Sequence, residues 1–222
     1  MSGFKPLDVL VACECSGTVR EAFLAEGHNA YSVDLKPCER RSNRHIQGDA
    51  RDYLDHGWDM LIVAHPPCTR LCNSGVRWLS VPPAGRTLDE MWRDLREGAE
   101  LFSAFLNAPI RHRAIENPVM HRHAKALIRD FRRHSQSVQP WQFGDDPDGP
   151  DNEKKRTCLW LIDLPPLVPT GTLDGTTARD SVHRAPPSAQ RAADRSRFFP
   201  GLAKAMARQW GAYAMSAREV AA

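Results

Sequence analysis

Apolar residues fall along this chain in two rhythms, short unbroken runs and longer stripes at helical spacing. Leu7 to Cys13 is a run that breaks at Glu14-Cys15-Ser16-Gly17, after which Val19, Ala22 and Phe23 recur at helical spacing until Gly27. Further runs at Asn29 to Leu35, His45 to Asp49, Met60 to Ala64, Arg113 to Ile115 and Cys158 to Ile162 have strand length. Between them Thr87 and Glu90 form a capping box ahead of the stripe Leu88, Met91, Trp92, Leu95, Ala99, Phe102 and Leu106. The pattern predicts a helix from His121 to His134, with Leu127, Ile128 and Phe131 inward and Arg122, Lys125, Arg129, Arg132 and Arg133 outward. It predicts a strand over Val138 to Phe143 and a closing helix from Gly201 that stripes Leu202, Met206, Trp210 and Tyr213. Strands alternating with helices specify an α/β fold, Rossmann-like and mostly parallel, in a single domain over 1–222. Gly144 to Asn152 reads as turns, and residues 165–195 as an irregular loop region.

Several carboxyl ends of these runs carry chemistry. Open α/β sheets bind ligands at that edge. The glycine turn Cys13 to Gly17 has small residues that let a backbone approach a ligand, and it opens a helix whose first N–H groups would be free. Asp34 and Asp49 end the second and third strands, where such folds hydrogen-bond a ribose diol. The fourth strand runs into Pro66-Pro67, which force the chain out of the sheet and deliver Cys68 on a stiff loop. Glu116-Asn117-Pro118 repeats that arrangement at the fifth. Gly75 supplies flexibility to a loop that closes over substrate. A thiol beside an acid can add to an electron-poor ring, the acid protonating the ring to draw the sulfur in.

Composition narrows the classes. The 41% hydrophobic content suffices for one core, and no apolar run approaches the ~20 residues of a membrane helix. The six cysteines are scattered and read as thiols of a reducing compartment, which makes the cytoplasm the expected location. A net charge of +3 permits a nucleic-acid partner only through a local basic footprint, and no obligate protein partner is evident. A thiol phosphatase loop fails in register, because neither Cys13 nor Cys15 stands at its spacing from Arg20. A zinc site at His65, Cys68 and Cys72 lacks a second spaced pair.

In order and kind these motifs resemble those of the DNA (cytosine carbon-5) methyltransferases, most of all the short forms of bacteriophages and prophages. Val9 to Gly17 is similar to the family's first motif, with Ala12-Cys13-Glu14-Cys15-Ser16-Gly17 in place of Phe-Cys-Gly-x-Gly-Gly. Pro66-Pro67-Cys68 matches the Pro-Cys motif, Glu116-Asn117-Pro118-Val119 resembles Glu-Asn-Val, and Lys154-Lys155-Arg156 stands where the family has Arg-x-Arg. Arg197 to Trp210 is a looser likeness to the last motif. The resemblance implies a methyltransferase fold, S-adenosylmethionine as cofactor and DNA, of unspecified strandedness, as partner. It implies Cys68, Glu116 and Arg156 as catalytic residues, with Glu116 on N3 and the amino group of a cytosine attacked at carbon-6. Cys13, Glu14, Cys15, Ser16, Gly17, Asp34, Asp49 and Pro66 would bind cofactor, and Pro67, Asn117 and Lys154 substrate. Only the stretch from Ile162 to Arg195 stands where the family inserts a target-recognition region. The same chemistry on RNA or a free nucleotide, or a decayed nucleic-acid-binding protein, are the alternatives.

Overall fold

A computed structural model describes residues 5–66, 68–181 and 198–221. Seven strands form one sheet: β1 (Asp8–Ala12), β2 (Asn29–Asp34), β3 (His45–Gln47), β4 (Met60–Val63), β5 (His112–Asn117), β6 (Gln136–Val138) and β7 (Thr157–Ile162). Their order is β3-β2-β1-β4-β5-β7-β6. The first five run parallel, and β7 is antiparallel to both β5 and β6. The expected Rossmann-like, mostly parallel α/β sheet is therefore what the chain forms.

Helices cover both faces. On one, α1 (Thr18–Ala25) and α4 (Pro200–Ala221) bury Val19, Phe23, Leu202, Met206 and Trp210 against Val9, Val11, Ile62 and Leu159. On the other, α2 (Leu88–Leu106) buries Met91, Leu95, Phe102 and Leu106 against Leu10, Leu61, Val63 and Trp160. Alternate residues of each central strand thus serve opposite layers, as the two-residue period of a strand dictates. The Thr87–Glu90 capping box is formed.

Two expectations fail locally. The helix predicted over 121–134 is only α3 (Arg122–Leu127), because Ser103 Oγ takes the Arg129 N–H at 2.9 Å and Asp130 turns left-handed at φ 55°. Its basic residues therefore do not share one helical face, and Leu127 is exposed while Ile128 is buried. The strand expected over 138–143 stops at Val138: Pro140 has no N–H for a ladder and opens a 3₁₀ turn (Pro140–Phe143). Of the 165–195 loop region, residues 165–180 form turns and bends with one isolated bridge at Arg179, and residues 182–195 lie outside the described residues, as does Arg197.

The sheet order reverses between β1 and β4, which opens a crevice at their carboxyl ends. Register aligns what lies there. Ala12 pairs with both Val33 and Val63, and Val63 with Ile115, so Cys13, Asp34, Ala64 and Glu116 form the next row out.

Gly17 closes the turn after β1 at φ 75°, and a Cβ there would stand 2.3 Å from the buried Arg20 guanidinium. That guanidinium bonds Ser32 Oγ at 2.7 Å and Glu21, so it cannot yield cheaply. Gly17→Ala is expected to cost about 1–3 kcal/mol, the usual cost of a strained backbone position, as measured by chemical denaturation.

Candidate active site

Cys68 opens a 3₁₀ turn (Cys68–Arg70) just beyond β4, and Glu116 lies near the end of β5. The neighbouring strands bring the two loops close, and a staple holds them together. Cys72 and Met120 form an antiparallel bridge, Asn73 N–H donates to the Val119 carbonyl at 3.1 Å, and His121 N–H to that of Leu71 at 3.0 Å. The His121 ring adds a third tie. Its Nδ1 accepts the Ala124 N–H at 3.1 Å and so caps α3, which leaves Nε2 to carry the proton and donate to the Arg70 carbonyl at 2.6 Å. Burial holds this imidazole below its ordinary pKa, so the bonding tautomer is the neutral one.

Glu116 is buried, and its Oε1 has no hydrogen-bond partner among the described residues. The same is true of Asn117 Oδ1, whose amide donates to the Pro118 carbonyl at 2.8 Å, and of His65 Nε2. Unpaired buried polar atoms are rare and costly, and three of them gather at the carboxyl ends of the neighbouring strands β4 and β5. Burial pushes the Glu116 carboxyl up to about 7, with the Lys155 charge opposing and Cys72 reinforcing. Lys155 also acts on Cys68 and His65, and its ammonium lies 5.4 Å from the Phe199 ring centre.

The reversed β7 explains how a lysine reaches this point. Asn117 pairs with Cys158, so the lead-in to β7 arrives at the carboxyl end of β5. Lys155 shares the alternation phase of Thr157 and Leu159 and points inward, whereas Lys154 and Arg156 are exposed. Arg156 acts instead on His134, together with Arg133 and Lys125. The sheet thus gathers Cys68, Glu116, Asn117 and Pro66, but does not bring Lys154 or Arg156 to the Cys68–Glu116 pair. Pro67 lies outside the described residues.

Gly75 is no hinge. A Cβ there would fall 1.9 Å from the Thr69 carbonyl oxygen, so the loop is packed shut on itself at that point.

At the β1 turn, Cys13 is left-handed at φ 57°, and burial, Asp34 and Asp49 all push its thiol up. Cys13 thus lies within electrostatic reach of both Asp34 and Asp49. Asp34 accepts the Lys36 N–H at 2.9 Å. Asp49 is held by Arg51, at 3.0 and 3.1 Å from Nε. Cys15 contributes its carbonyl to the Glu39 N–H. The amino end of α1, however, is not open. The buried Glu14 carboxylate accepts from Val19 N–H at 2.6 Å and Arg20 N–H at 3.1 Å, while Ser16 Oγ takes that of Thr18.

Sequence reasoning missed the inward Lys155, the unpaired His65 and the capping role of Glu14. Carrying the β7 alternation two residues upstream would have found Lys155.

No family model matches this chain, and no curated protein does. Among solved structures it is similar to a protein described as a DNA modification methyltransferase encoded within an E. coli prophage, with 15% identity and a TM-score of 0.43. That match covers 82% of this chain and 56% of the other. A second is the Entamoeba histolytica methyltransferase EhMeth, at 11% identity and a TM-score of 0.40, covering 84% and 62%. The chain spans roughly three-fifths of either structure. At such scores the reading of the site rests on its own residues.

Glu116 generates a test that needs no substrate. Its folded pKa of about 7 lies above the ordinary 4.5, so its contribution to stability is complete below 4.5 and is lost as pH rises through about 7. Glu116→Gln removes that loss. Denaturation should find the variant more stable than wild type at pH 8, by up to about 3 kcal/mol, with the gap closing towards pH 4.5.

Proposed function

We propose that this chain is a methyltransferase that uses S-adenosylmethionine to methylate carbon-5 of cytosine in DNA through a covalent bond from Cys68. The observation that carries the reading is the meeting of Cys68 and an unpaired, buried Glu116 at one sheet edge, with the carboxyl held near 7. A carboxyl so held is protonated in good part at neutral pH and can give a hydrogen bond to a ring nitrogen. Glu116 would protonate or hydrogen-bond N3, which makes carbon-6 electron-poor, and Cys68 would add there. Asn117 Oδ1 is a free acceptor beside it for an amino group. Lys155 sets the local charge by facing both residues.

The cofactor reading is supported by charge. A dinucleotide or nucleoside triphosphate would need the N–H groups at the α1 amino end, and the Glu14 carboxylate already takes two of them. A ligand without phosphate and with positive charge suits this turn, and Asp34 is positioned for a ribose diol. S-adenosylmethionine meets those demands and supplies an electrophilic methyl group. Cys13 to Gly17, Asp34, Asp49 and Pro66 would form its walls.

DNA would lie along the basic ground next to the site. Lys125, Arg133 and Arg156 converge on His134, and Lys125 also acts on His121, which joins that ground to the Cys68 loop. Arg156 and Lys154 in this reading hold phosphate near the target base. A base in a duplex would have to be flipped out, at a cost of a few kcal/mol.

Two experiments test the reading. A cytosine bearing fluorine at carbon-5 blocks the final elimination, so an oligonucleotide carrying it should form a lasting adduct with wild type and cofactor. The adduct should vanish in Cys68→Ala and form roughly 10²–10⁴-fold more slowly in Glu116→Gln. An adduct that persists without Cys68 would defeat the assignment. Running RNA and the free nucleotide in parallel identifies the substrate class.

Nucleic-acid affinity should fall steeply with salt, and Arg133→Ala together with Arg156→Ala should flatten the slope by about one phosphate contact each. An unchanged slope would remove these residues from the interface.

A further inference from the structure

Arg70, two residues beyond Cys68, is held at both ends by segments far apart in the chain. Its carbonyl takes the His121 Nε2 proton at 2.6 Å, from the loop after β5. Its guanidinium Nε donates to Asp94 Oδ2 at 3.1 Å, from α2. Asp94 is fixed in turn. Both its oxygens accept from Arg86 Nη2, at 3.0 and 3.2 Å, and Arg86 Nε reaches Glu90 at 3.3 Å. Glu90 is itself pinned by the Thr87 N–H at 2.8 Å in the capping box of α2. The turn that carries Cys68 has its entry set by β4 and the buried Pro66 and its exit by the buried Leu71, with Thr69 exposed between them. The Arg70 side chain is what ties this turn to α2.

We propose that Asp94 is a positioning residue of this site, which through Arg70 sets the turn carrying Cys68 against Glu116. The proposal rests on the reading of Cys68 as nucleophile. The Cys68 sulfur must approach carbon-6 along one direction while Glu116 holds N3, so a tilt of the turn costs rate without costing affinity. The backbone seam to residues 119–121 ties the turn on its β5 side, and a turn sewn along one side can still rock about that seam. Asp94 opposes the rocking from the α2 side. Part-exposed ion pairs stabilise a fold little. A carboxylate already oriented by one arginine nevertheless gives a second arginine a fixed direction, because charge-assisted hydrogen bonds to guanidinium are directional. Asp94 and Arg86 thus act through Arg70 and not on the reacting atoms.

The test follows adduct formation with the fluorinated oligonucleotide in the full chain, across oligonucleotide concentrations and with cofactor in excess. Asp94→Asn keeps the shape and loses the charge. Its maximal rate should fall about 10–100-fold, the loss expected when a reacting group is misplaced by about 1 Å, while the half-saturating concentration stays unchanged. Arg70→Met should lose about as much, and the double variant no more than either, because both cut the same link. Asp94→Glu should recover most of the rate. Glu97→Gln removes one exposed charge from the same helix and should leave the rate unchanged. A rate kept in Asp94→Asn, an equal loss in Glu97→Gln, or a double variant that multiplies the two losses overturns the proposal. Circular dichroism checks folding, and Arg70→Met against Arg70→Lys makes the same comparison if Asp94→Asn does not fold. A second readout needs no substrate: alkylation of Cys68 by iodoacetamide, located by mass spectrometry, should be severalfold faster in Asp94→Asn, where the turn is released. If wild type forms no adduct but this alkylation quickens, the cytosine reading fails and the positioning assignment stands. An unchanged alkylation rate overturns the assignment.

Discussion

The site exists because two loops from neighbouring strands are sewn to each other before anything binds. Two backbone hydrogen bonds join residues 71–73 to 119–121, and the neutral ring of His121 closes the seam by bonding both the Arg70 carbonyl and the start of α3. Each bond alone is worth about 1 kcal/mol. Together they hold Cys68 and Glu116 in one relation despite the unfavourable burial of both. Without the seam, Glu116 would recover solvation by swinging outward, and the unpaired Asn117 and His65 would do the same. Polar atoms left unpaired are tolerated here because the backbone around them has nowhere else to go.

Charge divides the carboxyl edge into two halves. Around Cys13, Asp34 and Asp49 make a negative pocket, while Glu14 turns to the α1 amino end and stands in for the anion that such an end attracts. Around Cys68 the buried Glu116 is opposed by Lys155, and the cations Lys125, Arg133 and Arg156 gather about His134. Under the proposed function, a cationic cofactor and a polyanionic substrate would approach from opposite sides of one crevice, and their reacting ends would meet where β1 and β4 part.

Most of this architecture was legible in the chain. The short apolar runs ending at Cys13, Leu35, Ala64 and Ile115 lie within two residues of the strand ends at Ala12, Asp34, Val63 and Asn117, and the row of reactive side chains followed from the α/β rule about carboxyl edges. What was not legible depended on contacts between distant segments. The early end of α3 turns on Ser103 from another helix, and nothing in residues 121–134 announces it. The inward phase of Lys155 depends on β7 running backward, which local pattern cannot give. Glu14 looked like a flaw in a glycine turn, and only its bonds to Val19 and Arg20 reveal a cap. Gly75 looked like a hinge because glycine has two uses, freedom and close approach, and composition does not tell them apart.

The position of β7 also bears on how the chain comes to be folded. Strand β6 precedes it in sequence yet, among the described residues, pairs in the sheet with β7 alone, which slots between β5 and β6. As the chain emerges during synthesis, the first five strands can assemble by neighbourly crossovers, but β5 remains a raw edge until residue 162 is out. The face later covered by Leu202, Met206 and Trp210 stays bare for longer still. Exposed sheet edges and apolar faces are what chaperones and aggregation both seize upon. The interval between the completion of β5 and the arrival of α4 is thus the vulnerable stage in the life of this protein, and the candidate site matures only at its close.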